Sequence, residues 1–163
     1  MENLEDIKKY LKGKIVIVGI GDCMRGDDGV GCKIAEDLKE KLQNEKITII
    51  NAGTTPENYL EKIVKYNPDL ILFIDSSDFG CLPGDVKLLK PEEVLNAGTS
   101  THNASLKLVF DYLEKRTDSS ILLLGIQPKK IYFSTEISNE LQKSIKEVEN
   151  TVMSYACPPW REF

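Results

Sequence analysis

Asp28, Asp75 and His102, the only histidine in the chain, are the residues whose types could do chemistry together, provided the fold brings them to one place. Two carboxylates and an imidazole form a nitrogen and oxygen donor set that suits a borderline metal such as nickel or zinc. An all-oxygen magnesium cage would not need His102. Three ligands leave coordination positions open, which suits a metal shared with a substrate better than a closed structural site. Each residue also has an ordinary reading. Asp28 stands where a helix N-cap would satisfy free backbone amides. Asp75 could close an Asx turn in the sequence DSSD, with Asp78 close enough to take either role. A lone histidine is most often a surface or capping residue. The shared site gains weight because two carboxylates in one crevice need a cation or a shared proton.

Other chemistries meet obstacles in the same residues. The loop GIGDCMRGDDGVG carries Gly19 and Gly21 after a strand-like run, but Met24 occupies the place of the third glycine of a dinucleotide fingerprint, and there is no Gly-Lys-Ser/Thr. Asp22, Asp27 and Asp28 would repel a pyrophosphate. A serine or cysteine triad would have to use His102 as its base, and neither Cys23 nor Cys81 stands in a recognisable nucleophile motif. The cysteines at 23, 32, 81 and 157 form no C-x-x-C pair, so reduced thiols in a cytoplasmic protein are expected. A formal net charge of -5 without a long basic run argues against nucleic acid. No segment approaches the roughly 18 apolar residues of a membrane span, and the amino terminus lacks an export signal.

The elements that must position these residues are legible as periodicities. KIVIVGIG, Lys14 to Gly21, is a β-branched run suited to a strand buried on both faces. Val30, Ile34, Leu38 and Leu42 lay an apolar stripe along a helix over about 29–42. KITIIN is a second strand, and Thr54 and Glu57 around Pro56 have capping-box spacing for the next helix. DLILFID is a central strand ending in Asp75, and DVKLLK after Pro83-Gly84 is a polar edge strand. Leu106, Val109, Phe110 and Leu113 mark a helix starting near Asn103, which puts His102 at a helix start. ILLLGIQP is a fifth strand, and Ile137, Leu141, Ile145, Val148 and Val152 mark a long final helix. The expectation is one α/β domain over residues 1–163. It would be a three-layer sandwich: a mainly parallel, twisted five-stranded sheet with helices on both faces and one antiparallel edge strand. Segments 19–28, 75–78 and 125–128 should then meet beyond the carboxyl ends of the strands.

Five segments in order, GIGDCMRGDDGVG, NAGTTPEN, FIDSSDFGCLPG, STHN and LLGIQP, resemble the nickel-iron hydrogenase maturation endopeptidases across about Ile15 to Pro128. The likeness is greatest to the subgroup that serves the hydrogenase of formate hydrogenlyase. The resemblance implies a cytoplasmic endopeptidase that removes a C-terminal extension from the hydrogenase large-subunit precursor once nickel is inserted. It also implies that Asp28, Asp75 and His102 are the metal-binding positions, with catalytic roles unresolved. Nickel would be borne by the substrate, and zinc or cadmium could replace it in crystals. Where relatives often carry Asp-Gly-Gly, this chain reads Asn51-Ala52-Gly53, so one acidic group near the cleft is absent.

The residues leave open whether nickel polarises the scissile carbonyl or a carboxylate activates water, in the manner of an aspartyl endopeptidase. Backbone around Gly26, Gly29 and Gly31 is a candidate contact for the precursor, because glycine permits close approach, and Gln127 could bind substrate main chain or satisfy a turn. Two rival readings use the same residues. One is a non-catalytic, nickel-sensing maturation chaperone, and the other is a magnesium-dependent phosphohydrolase built on the acidic loop. A monomer is the default expectation.

Overall fold

The computed structural model describes residues 2–94 and 103–157, with the backbone alone at 103 and 104. Five strands form one sheet: β1 (Ile15–Ile20), β2 (Ile47–Gly53), β3 (Leu70–Ser76), β4 (Val86–Leu89) and β5 (Ser120–Ile126). Their order is β2-β1-β3-β5-β4, parallel throughout except for β4, which pairs antiparallel with β5. The expected edge strand is therefore at the edge. Its outer side is closed by Glu2, whose backbone exchanges two hydrogen bonds with Leu88, leaving less of an open template for another chain.

Strand sequences rich in Ile, Val and Leu alternate their side chains between two cores. Ile15, Ile17, Leu70, Leu72, Ile74, Leu122 and Leu124 meet helices α1 (Val30–Lys41) and α5 (Asn139–Ala156), together with Ile7 of the 3-10 segment Leu4–Lys9. Val16, Val18, Ile71, Phe73 and Leu123 meet α2 (Leu60–Tyr66), the short α3 (Pro91–Val94) and α4 (Asn103–Arg116). The three layers are those the apolar periodicities require. Among the described residues no helix is long and apolar enough to cross a membrane.

This alternation decides where the candidate residues point. Ile71 and Phe73 face the α4 side, so Asp75 continues that series while Ser76 turns to the α1 side. The ring of Phe110 in α4 lies edge-on to Phe73 at 5.2 Å. The C-terminal end of α4 leads to Ser119, whose hydroxyl donates to Pro68 O at 2.6 Å, at the start of β3. Asn103 therefore lies about 10 Å along the helix from Phe110, toward the edge where Asp75 ends β3.

Three local expectations need correction. No side-chain capping bond forms at Thr55, and the chain enters α2 through a 3-10 turn at Pro56–Tyr59 rather than through a Thr54–Glu57 box. The final helix starts at Asn139, so Ile137 packs on the core from outside it, because Ser138 is held extended at φ -57°, ψ 148°. Asp28 is not an N-cap: Gly29 holds that position, and Asp28 sits inside the 3-10 turn Gly26–Gly29.

Helix α1 rests directly on the sheet at Gly31. A Cβ there would stand 2.1 Å from Ile74 O and 2.5 Å from Ile20 O, both backbone atoms that cannot swing aside. Gly31→Ala is expected to lower the unfolding free energy by about 3 kcal/mol, the upper range for overpacking. Urea denaturation reads this directly, and a loss under about 0.5 kcal/mol would mean that the helix has room to rise.

Candidate functional site

Asp28 and Asp75 meet at the carboxyl edge between β1 and β3, where the strand order reverses and open α/β sheets bind ligands. Both are buried, at 1% and 0% exposure. Ser76 joins them: its hydroxyl donates to Asp28 Oδ1 at 3.0 Å, and its amide donates to Asp75 Oδ1 at 2.8 Å. The second oxygen of Asp28 accepts the Asp22 amide at 3.0 Å. Residues 47 positions apart are thus tied through one serine, and a buried carboxylate of this kind is stable only with such donors or a cation.

Neighbouring groups divide the remaining roles. The Asx turn that Asp75 could have made belongs to Asp78, whose Oδ1 accepts the Gly80 amide at 3.0 Å and the Gln127 side-chain amide at 3.1 Å. The Gly80 bond, then the Gln127 bond, holds the exposed Asp78 carboxyl below its ordinary range. Gln127 is 6% exposed, and its Oε1 accepts from the amides of Phe79 at 2.7 Å and Cys81 at 3.3 Å. Gln127 thus satisfies the turn over 78–81. Asn51 donates to Glu36 Oε1 at 2.9 Å, where an aspartate would be repelled.

Gly26, Gly29 and Gly31 are all buried. Gly31 admits the close approach of α1, a Cβ on Gly29 would stand 2.9 Å from Cys23 Cα, and Gly26 adopts φ +57°. A side chain at any of the three would therefore meet its neighbours within the fold. Gly26 alone of them lines a recess of about 210 Å³, shared with Lys130, Ser134 and Ser138. His102 lies outside the described residues, and among those described no three His, Cys, Asp or Glu side chains gather to hold a metal. Sequence reasoning missed Ser76, which no spacing marks, and missed that Asp27 bonds Lys129, Lys130 and Ser138 rather than joining Asp28.

Fold and geometry define a small α/β protein with paired, buried carboxylates at a sheet switch point. The family model described as HycI, hydrogenase maturation protease, matches residues 32–155. A chain of Methanocaldococcus jannaschii named for a hydrogenase maturation protease is 36% identical over 159 residues, covering 93% of each chain. The hydrogenase 3 maturation protease of Escherichia coli is 28% identical over 134 residues, 82% of this chain and 85% of its own. The crystal structure of the NiFe hydrogenase maturation protease HycI from Thermococcus kodakarensis superposes with a TM-score of 0.84 at 35% identity, covering 94% of this chain and 97% of that one. This chain belongs to the hydrogenase maturation protease family, and it is a peptide hydrolase.

Cys32 gives the site edge a measurable signature. Its thiol is buried beside the two aspartates and donates to Gly21 O at 3.4 Å. Burial, opposed in part by a hydrogen bond from the Gly53 backbone and reinforced by the nearby charges of Asp75, Cys23 and Asp28, pushes it up to about 12 from 9.0. Above pH 9 the unfolded chain loses a proton that the folded chain keeps, so this contribution to stability, complete below pH 9, falls as pH rises toward 12. The slope is at most about 1.4 kcal/mol per pH unit. The stability difference between wild type and Cys32→Ala is therefore expected to shrink between pH 9 and 11, and a constant difference in urea titrations would contradict the assignment.

Proposed function

We propose that this protein removes a C-terminal extension from the precursor of a nickel-iron hydrogenase large subunit after nickel insertion, and that the nickel already held by the precursor is its recognition element. The observation that carries this reading is the pairing of Asp28 and Asp75 through Ser76, both acids buried at the carboxyl edge of the sheet. Relatives named as maturation proteases of NiFe hydrogenase and of hydrogenase 3 support the substrate class.

On this reading Asp28, Asp75 and His102 supply donors to the substrate's nickel, and His102 immediately precedes the first residue of α4. A cation offsets the repulsion between two adjacent buried carboxylates, so the crevice prefers a metal-loaded precursor to an empty one. Fixing the nickel fixes the neighbouring peptide bond, which converts recognition into positioning for hydrolysis. The chain's own contribution is to hold both carboxylates in place: the Ser76 hydroxyl donates to one oxygen of Asp28 and the Asp22 amide to the other. Action as a monomer in the cytoplasm is part of the same proposal.

Incubation of the purified protein with nickel-loaded and nickel-free precursor, followed by intact-mass measurement, tests it. The expected result is loss of a C-terminal fragment from the loaded precursor only. Loaded precursor of unchanged mass would favour a nickel-sensing chaperone. Because loss of an outer-shell partner alone costs a metal site about 10- to 100-fold, His102→Ala should lower processing by about a hundredfold or more. Wild-type processing by that variant would remove His102 from the site and revive the magnesium reading.

A further inference from the structure

The two adjacent acids of the Asp27-Asp28 pair do different work. Asp27 is fully buried and turns away from Asp28, toward the connection between β5 and α5. Its Oδ2 accepts the amides of Lys129 at 2.8 Å and Lys130 at 2.9 Å and the Ser138 hydroxyl at 2.8 Å, while Oδ1 accepts the Ser138 amide at 2.7 Å. Backbone bonds continue the seam: Asp27 N donates to Lys130 O at 2.9 Å, Gly26 N to Ser134 O at 2.8 Å, and Ser134 N to Met24 O at 2.9 Å. Segment 24–27 is thereby zipped to segment 129–138. The next residue along the zipped turn is Asp28, aimed at Ser76.

We propose that Asp27 is a positioning residue for the protease: by clamping the β5–α5 connection it fixes the turn that presents Asp28 to the substrate's metal. This rests on the role given to Asp28 above. The chemistry of the clamp requires a carboxylate. Four donors converge on two oxygens, and only a group that accepts at both can serve them. An asparagine would have to direct its NH₂ at an N–H or O–H donor, leaving a buried clash at a point one residue from Asp28.

The test is Asp27→Asn in the full chain, assayed at a temperature where circular dichroism shows wild type and variant folded. Two readouts are taken: kcat on nickel-loaded precursor, and the ¹⁵N–¹H position of the Asp22 amide, which reports on the Asp28 carboxylate it bonds. The expectation is a kcat lowered about 10- to 100-fold, in the range for partners that orient a metal ligand, together with a displaced Asp22 resonance. Ile63→Ala, a core truncation on α2 that lowers the melting temperature without touching the loop, should leave both readouts at wild-type values. Ser138→Ala, which removes one of the four bonds, should move both readouts in the same direction by a smaller amount, and it carries the test if Asp27→Asn does not fold. A folded Asp27→Asn, or in its place Ser138→Ala, with kcat within twofold of wild type and an unmoved Asp22 amide overturns the proposal. If wild type itself does not cleave the precursor, the proposed function fails, and the amide resonance alone decides whether Asp27 positions Asp28.

Discussion

A carboxylate taken out of water must find donors or a cation, and the hydrogen bond from Ser76 to Asp28 is where this protein meets that demand at its site. It links the loop after β1 to the end of β3 across the switch point of the sheet. It ties the 3-10 turn at Gly26–Gly29 to the end of β3, while the Asp22 amide donates to the other oxygen of Asp28. The same serine uses its amide to orient Asp75, so a single residue sets the relation between both acids.

That relation depends on how closely α1 can settle on the sheet. Gly31 lets the helix rest against the carbonyls of Ile20, the last residue of β1, and Ile74, two residues before the end of β3. A helix held further away would carry the 26–29 turn with it and lengthen the Ser76–Asp28 contact beyond hydrogen-bond reach. On the opposite side Asp27 anchors the turn to the β5–α5 connection. The turn is therefore braced from three directions: by the sheet below, by β3 through Ser76, and by the chain leading into α5. Under the proposed function such bracing would let the site meet an incoming metal with little rearrangement, since geometry held in advance reduces the cost of binding.

Much of this architecture is legible in the residues, for definite reasons. The runs in β1, β3 and β5 are apolar on both faces because helices cover both, and the shorter, partly exposed β4 reflects its place at the edge. The stripes of α1, α4 and α5 match the cores they fill. Asp75 could be placed at the edge because an apolar run stops at it. What escapes the sequence depends on contacts between distant segments. Nothing near Ser76 marks it as the bridge between two acids, and nothing near Asp27 reveals partners more than 100 residues away. Ile137 keeps helical spacing yet stays outside α5, because Asp27 holds Ser138 extended. Thr54 and Glu57 show capping spacing that the chain does not use, since Pro56 opens a 3-10 turn instead. His102 falls outside the described residues, so the third member of the expected set rests on its place in sequence before α4 and on the family resemblance.

The central claim is that side chains of this protein enter the coordination sphere of nickel carried by the precursor. X-ray absorption at the nickel edge, recorded on loaded precursor alone and after rapid mixing and freezing with the protein, reads that sphere directly. The account predicts new nitrogen or oxygen scatterers at about 2 Å on mixing, and their loss with Asp28→Asn or Asp75→Asn. A nickel sphere identical with and without the protein, under conditions where the precursor is cleaved, would contradict it.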